Sequence, residues 1–359
     1  YIIIGPVKPG RIIALPFAAM AGVTNTKLYD YLEKKGCDIK QPNLHGASAL
    51  LESMSHLQDF AFAEYLMKKG LDLKAVDEEG NGAFNYAAAG GNIKMMNKLI
   101  AAGLPYKDLN HKGGNAMMEA SQVGRSGGNH LEVFEYLDSK GVKANIRTHD
   151  NNTPLHQLAG RSKDTDVMNF FMEKGVSPAL QNEEGNTPFM LASASNTIEI
   201  LKLLNNGKID INTVNNDGYT ALDLALEGNS PEVVQYLIKK GATPTPQTGK
   251  MLVSGYKPGH TEAFKSKLQA LEAIGFKASI ISEDQNTLAH YAAANGDATL
   301  LQILMDHKVD ANHKNREGYT PLHIAAMKSH NTELLLFLTE AGADLSTKTD
   351  FDETAYDLA

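Results

Sequence analysis

The sequence contains no tryptophan and only one cysteine, Cys37, among its 359 residues. A single thiol cannot form an internal disulfide, so the fold does not depend on an oxidising compartment, and a cytoplasmic location is favoured. Basic residues are in the minority, because 34 Lys and Arg stand against 42 Asp and Glu, for a net charge of −8. That is the wrong sign for a surface that neutralises phosphates, which argues against nucleic acid as a partner.

Long apolar runs are missing as well. No stretch approaches the roughly 18 apolar residues needed to cross a bilayer, so we expect no membrane insertion, and residues 1–4 are too short for the apolar region of a signal peptide. Hydrophobic residues make up 42% and charged residues 21% of the chain. This composition is typical of a folded protein with a buried core.

Two sets of residues recur along the chain with the same period. Glycines end amphipathic stretches at Gly36, Gly70, Gly103, Gly141, Gly175, Gly207, Gly241, Gly275 and Gly342, with Lys308 in the ninth position. Threonines open apolar helical stretches at Thr153, Thr187, Thr220, Thr287, Thr320 and Thr354, with gaps of 34, 33, 67, 33 and 34 residues. The gap of 67 is two periods, so one repeat without this threonine lies between Thr220 and Thr287.

The amino-acid sequence of these repeats resembles the consensus of the ankyrin-repeat family. Residues 318–326, Gly-Tyr-Thr-Pro-Leu-His-Ile-Ala-Ala, are similar to the ankyrin phrase Gly-x-Thr-Pro-Leu-His-x-Ala-Ala, and residues 153–156 and 187–189 are weaker copies. A period near 33 residues is also that of ankyrin repeats. The resemblance covers residues 11–359 and implies an all-α solenoid of about ten to eleven helix-turn-helix repeats, with short β-turn or hairpin loops.

Each recurring residue has a mechanical role. Thr320 is placed to cap a helix, and Pro321 stands at the first helical position, where its missing N–H costs nothing. Second helices carry larger apolar residues at helical spacing, such as Val233, Val234 and Leu237, which predicts that they stack on neighbouring repeats. Gly241 then ends its helix in the left-handed conformation.

The period predicts a domain plan. Residues 1–10 are a lead-in or the end of a lost repeat, 11–245 hold repeats one to seven, and 281–359 hold repeats nine, ten and a partial eleventh that begins with a helix at Thr354. An insertion at 122–128 in repeat four is either a tolerated surface loop or a contact element around Arg125. Residues 246–280 form a degenerate repeat, which is either a seam between two subarrays or simple sequence drift. Because both ends interrupt the repeat pattern, we expect that residues are missing at each end. The sequence therefore leaves open whether an export signal lies outside it.

No constellation of residues predicts catalysis. The histidines at positions 156, 290 and 323 occupy the Thr-Pro-Leu-His position, where the resemblance implies hydrogen bonds between adjacent repeats. The other histidines are dispersed, and Cys37 stands where the family has a small buried residue. We therefore predict no enzyme activity, metal, cofactor or small-molecule substrate.

The resemblance implies that partners bind at turn tips and at exposed positions of the first helices. The predicted tip residues are Glu78, Glu79, Lys112, His149, Asp150, Glu183, Glu184, Asn216, Asp217, Glu283, Asp284, Arg316 and Glu317. The predicted groove residues are Asn186, Tyr219, Glu227, Tyr319 and Lys328, with Tyr219 and Tyr319 as anchors. These tip residues include nine acids and only two permanently charged bases, Lys112 and Arg316, which we call the two fixed bases. We call the whole set of tip residues the acidic rim. The rim is either a set of solvated turn residues or a surface that steers a basic partner.

The leading hypothesis is a non-enzymatic protein-binding scaffold for a basic or mixed-charge protein. The alternative is a regulatory ankyrin region of a larger enzyme or channel polypeptide whose functional module lies outside this sequence.

Overall fold

The computed structural model describes residues 14–124, 128–205, 209–279, 282, 284–328 and 332–359. These residues form twenty α-helices and, within the described ranges, no strand; Lys348 and Thr354 form an isolated bridge. The helices are α1 (Ala14–Met20), α2 (Thr26–Lys34), α3 (Ala49–Ser53), α4 (Ala61–Lys68), α5 (Ala83–Ala89), α6 (Ile93–Ala101), α7 (Ala116–Ala120), α8 (Leu131–Ser139), α9 (Pro154–Ala159), α10 (Thr165–Glu173), α11 (Pro188–Ser195), α12 (Ile198–Leu204), α13 (Ala221–Gly228), α14 (Pro231–Lys239), α15 (Thr248–Ser254), α16 (Thr261–Glu272), α17 (Leu288–Asn295), α18 (Ala298–Asp306), α19 (Pro321–Lys328) and α20 (Thr332–Glu340).

The helices alternate between two roles. Each odd-numbered helix is the first helix of a repeat and packs on the first helices of adjacent repeats, as α11, α13 and α15 do, while the even-numbered helix forms a second layer. The chain divides into two compact units, one ending at Glu183 and the other beginning at Glu184. The first unit contains α1 to α10 and the second α11 to α20, and the all-α repeat prediction is confirmed in both.

The threonines begin the first helices as predicted. Thr187 Oγ1 accepts from the Met190 N–H at 3.1 Å, and Thr220 forms a reciprocal capping box with Asp223. Three further helices follow Thr153, Thr287 and Thr320. In each of them the histidine three residues after the threonine takes the place of Asp223, and its Nδ1 accepts from the threonine N–H. Each cap satisfies a backbone N–H that would otherwise lack a partner at the start of its helix.

Residues of the periodic glycine series adopt the left-handed conformation after their helices. Gly241 follows α14 with a φ of +97°, and Lys308 follows α18 at the predicted ninth position with a φ of +58°. The left-handed conformation is therefore required even where the residue is not glycine. Gly207 lies outside the described residues.

Apolar residues of the second helices form the core between repeats. Val234 and Leu237 are fully buried in α14, and Met96 and Leu99 are fully buried in α6. Because each second helix is only seven to twelve residues long, its stability comes from packing against neighbours rather than from helix propensity.

Residues 246–280 form a helix pair despite their weak consensus. The second helix of this pair, α16, has twelve residues and packs on α14 and α18, while α15 packs on α13 and α17. The whole pair lies inside the second unit. The seam remains a prediction.

The final segment differs from the expected helix. Thr354 Oγ1 donates to the Asp357 carboxylate at 2.7 Å, and the Asp357 N–H bonds to the Thr354 carbonyl at 3.0 Å, but residues 355–358 form a turn. The cap is thus built without the helix that it would begin.

The insertion in repeat four lies in the connection between α7 and α8. Asn129 anchors its far side, because the Nδ2 amide donates to the carbonyl groups of Ala88, Ala89 and Ala120 at 2.9–3.1 Å. Arg125, the centre of the predicted contact element, lies outside the described residues, as do residues 1–10.

Candidate protein-binding surface

The turn tips of adjacent repeats are joined by backbone hydrogen bonds. In six of the tips an N–H donates to a carbonyl of the preceding tip, so these turns lie side by side within a unit. In the first unit Glu78 donates to His45, His111 to Glu79, His149 to Lys112 and Glu183 to Asp150, and in the second unit Asn216 donates to Glu184 and Arg316 to Asp284, at distances of 2.7–3.0 Å. We call this series the tip ladder.

The two fixed bases of the acidic rim face acids of the preceding tip. Lys112 Nζ lies 2.5 Å from Glu79 Oε1, and Arg316 Nη1 lies 3.6 Å from Asp284 Oδ1. Side chains in both pairs are 44–73% exposed, so each pair is screened by water and contributes little stability. The pairs nevertheless cancel two of the negative charges at the tips. Glu283 lies outside the described residues.

The remaining rim residues form an exposed, mostly acidic set. His149, Asp150, Glu184 and Asp217 are exposed at their tips. The positions that the structure describes in this set are Glu78, His149, Asp150, Glu183, Glu184, Asn216, Asp217 and Glu317.

The predicted groove residues do not form one site. Tyr219 and Tyr319 are half-buried at equivalent positions before α13 and α19, and Asn186 occupies the equivalent position before α11. Asn186 accepts from the Asn215 amide at 2.9 Å, which makes it part of a tie between repeats. Glu227 and Lys328 are exposed near the ends of α13 and α19.

A polar pocket in the first unit was not predicted from the sequence. In three successive repeats, the residue at the base of the tip bonds to the fourth residue of the first helix. Asn43 donates to Glu52 at 2.7 Å, Tyr86 donates to Asp77 at 2.9 Å, and Asn110 donates to Glu119 at 3.0 Å. A cavity of about 220 Å³ is lined by Asn43, Glu52, Asp77, Tyr86 and Glu119 together with Glu79 and Gln122.

Burial shapes the charge of this pocket. Glu119 is only 9% exposed, and burial, reinforced by the nearby carboxylates of Glu79 and Asp77, raises its pKa to about 7. Burial also raises the pKa of Glu52. A residue-by-residue comparison of the first helices could have found the pocket, because the fourth residues of the successive helices α3, α5 and α7 are Glu52, Tyr86 and Glu119, whereas those of α11, α13, α17 and α19 are Leu191, Leu224, Tyr291 and Ile324.

Histidines tie repeats together, as the resemblance implied. The Thr287 N–H and hydroxyl both bond to His290 Nδ1, at 3.0 and 2.9 Å, so Nδ1 is an acceptor and the proton is on Nε2. His290 Nε2 then donates to the Tyr319 carbonyl of the next repeat at 3.0 Å. Burial lowers the pKa of His290 to about 4 and also lowers that of His323. Both rings are therefore neutral in the folded protein at pH 7.

Within the described ranges, no three His, Cys, Asp or Glu side chains are grouped in a way that could hold a metal ion. In those same ranges no helix has both the length and the apolar character needed to cross a membrane.

Comparisons with known proteins agree with this architecture. The family model described as ankyrin repeats (3 copies) matches residues 118–213, 155–248 and 254–349, which together are more than half of the chain. The chain is 26% identical over 246 residues to the human transient receptor potential cation channel subfamily A member 1, covering 65% of this chain and 18% of the channel protein. It is 25% identical over 367 residues to alpha-latrocrustotoxin-Lt1a of Latrodectus tredecimguttatus, covering 96% of this chain and 22% of the toxin.

The chain thus spans about a fifth of the length of these two relatives. Among solved structures, the ankyrin repeat domain of human ASB11 is similar at 23% identity and a TM-score of 0.46, with 67% of this chain and all of that domain covered. The family match, the repeated helix pairs and the Thr-His ties lead to one conclusion: the chain belongs to the ankyrin-repeat family.

Proposed function

We propose that this chain is a non-enzymatic protein-binding module that uses the acidic rim to bind a protein with a basic or mixed-charge surface. Ankyrin repeats are in general protein-interaction modules. The observation that carries the proposal is the tip ladder. Backbone bonds hold neighbouring tips side by side, so the exposed carboxylates are presented at fixed positions rather than on independent loops.

The charge of the rim suits a basic partner. Lys112 and Arg316 each pair with an acid, which leaves the described part of the rim negative. A line of charges of one sign raises the local concentration of an oppositely charged partner and increases its association rate. In this proposal, half-buried Tyr219 and Tyr319 add contact area at low cost in conformational entropy.

Charge reversal at the rim tests the proposal. We expect the combined variant Glu78→Lys, Asp150→Lys, Asp217→Lys and Glu317→Lys to associate with its partner about tenfold more slowly at low salt. Partners would first be captured from native lysate by the unmodified protein and identified by mass spectrometry, and association rates would then be measured at low and physiological salt.

A matched control carries the same change in net charge away from the rim. Its substitutions are Glu132→Lys, Glu173→Lys, Glu199→Lys and Glu340→Lys, all at exposed positions of second helices. The control should keep the association rate of the unmodified protein. Equal slowing of both variants, or of neither, would rule out the acidic rim as the binding surface.

A second candidate function is the same interaction surface within a longer enzyme or channel polypeptide, where it would act as a regulatory region. The observation that favours it is the length of the relatives, of which this chain covers 18% and 22%. An immunoblot of the native polypeptide distinguishes the two candidates, because a product of about the mass of this chain, 38.9 kDa, would contradict the second.

A further inference from the structure

A cavity of about 290 Å³ lies in the second unit, where the ends of α13 and α15 meet the starts of α14 and α16. Its lining combines the apolar side chains of Pro231, Leu252 and Phe264 with the lysines at positions 257 and 267. The cavity is separate from the turn tips, so its chemistry is independent of the acidic rim.

Lys267 occupies a position that is apolar in other repeats. It lies in α16 four residues before the buried Leu271 and is itself only 6% exposed. The residues four before the corresponding buried side chain in the other second helices are all apolar: Phe62, Met95, Val133, Val167, Ile200, Val233, Leu300 and Leu334 are buried, and Leu28 is half-buried. A lysine at this position places an ammonium group inside the core.

One hydrogen bond of Lys267 has a clear structural role. Its Nζ donates to the Leu226 carbonyl at 2.7 Å, near the end of α13. In a neighbouring repeat the Asn229 amide makes the analogous bonds to the Ser193 and Asn196 carbonyls. Asn229 stands just before the second helix of its repeat, and in the eighth repeat that place is taken by His260. The lysine thus replaces the asparagine as the tie between repeats.

That bond does not neutralise the lysine. An ammonium group has three N–H donors, and a buried charge is costly unless it is paired. No carboxylate in the described part of the chain forms an ion pair with Lys267, and burial followed by the nearby Lys257 charge lowers its pKa to about 8. Glu227 also lines the cavity, but it is exposed, so water screens its charge.

We propose that this cavity binds a carboxylate carried on a short apolar group, with Lys267 as the counter-ion and Leu252 and Phe264 in contact with the apolar part. The charge on Lys267 is desolvated, so it attracts an anion more strongly than an exposed lysine does. The apolar walls favour an organic acid over a bare inorganic anion. The carboxylate could come from a free small acid or from a glutamate side chain of a bound peptide, which present the same chemistry.

The pH titration of Lys267 tests the proposal in the unmodified protein. The ¹³Cε resonance of Lys267 would be followed against pH in sodium isovalerate, in the peptide acetyl-Ala-Glu-Ala-amide, and in sodium chloride at equal ionic strength. A bound carboxylate stabilises the charged ammonium, so we expect the midpoint to rise by about one pH unit in at least one carboxylate solution relative to chloride. The solution that gives the larger rise identifies the source of the ligand.

Matched variants provide the second measurement. Lys267→Met removes the charge and places a side chain that the fold already accommodates at Met95, and we expect at least tenfold weaker binding of isovalerate or the peptide by calorimetry. Lys265→Met, at an exposed position of the same helix, should bind as the unmodified protein does. A midpoint that is the same in carboxylate and chloride solutions, or undiminished binding by a folded Lys267→Met variant, would overturn the proposal.

Discussion

Acidification from pH 7.5 to pH 4 is expected to lower the free energy of unfolding of the second unit by about 3 kcal/mol through His290 alone. The His290 ring is 1% exposed, and its pKa is about 4 in the folded protein against 6.5 for an ordinary histidine. The unfolded chain therefore binds more protons between these two values. The stability that neutral His290 contributes is fully present above pH 6.5 and is lost as the pH falls towards 4. Denaturant unfolding followed by circular dichroism at several pH values measures this loss.

The variant His290→Met isolates the contribution of this ring. The equivalent position is Met118 in α7 and Met190 in α11, so the fold accepts methionine there. We expect the variant to be less stable at pH 7.5, because the Thr287 and Tyr319 bonds are lost, and to lose about 3 kcal/mol less stability on acidification than the unmodified protein. His56→Met, at an exposed position, is the control for the loss of a histidine side chain. An identical pH profile for His290→Met would contradict the assignment.

The substitution Gly228→Ala is expected to destabilise the second unit by about 3 kcal/mol, the upper end of the usual cost of overpacking. A Cβ atom at Gly228, the last residue of α13, would lie 2.3 Å from the Ala194 carbonyl oxygen of α11. That oxygen belongs to the backbone of a packed helix, so it cannot move aside as the end of a flexible side chain can. The helix propensity gained from alanine is smaller than this cost.

Gly218→Ala is the control for this steric effect. Gly218 has a φ of +78°, and a Cβ atom there would meet nothing within 4 Å. Its cost is therefore conformational strain alone, about 1 kcal/mol. The two variants are compared by denaturant unfolding at pH 7.5. A Gly228→Ala variant as stable as Gly218→Ala would show that α11 and α13 can separate without loss of packing.

The repeat architecture was predictable because its signals are local and recur. Thr187 and Thr220 cap helices through bonds to residues three positions away, so their spacing along the chain marks each helix start. Lys308 shows the strength of the period, since it stands in the glycine series and adopts the left-handed conformation of those glycines although it carries a side chain.

The features that were missed depend on contacts between repeats. Glu119 and Lys267 are charged residues that a sequence pattern assigns to solvated helix faces, yet both are buried because neighbouring repeats cover them. Thr354 shows the opposite limit. Its cap is present, yet residues 355–358 form a turn, so the capping bonds alone do not establish a helix.

The shared Thr-His arrangement provides reporters of the order in which repeats unfold. The Nε2 protons of His290 and His323 each bond to a carbonyl of the following repeat, the first to Tyr319 and the second to Glu353. Loss of a given bond would expose that proton to exchange with solvent without affecting the other. Histidine-detected exchange spectroscopy would therefore show whether the last repeats of the second unit open one by one or together.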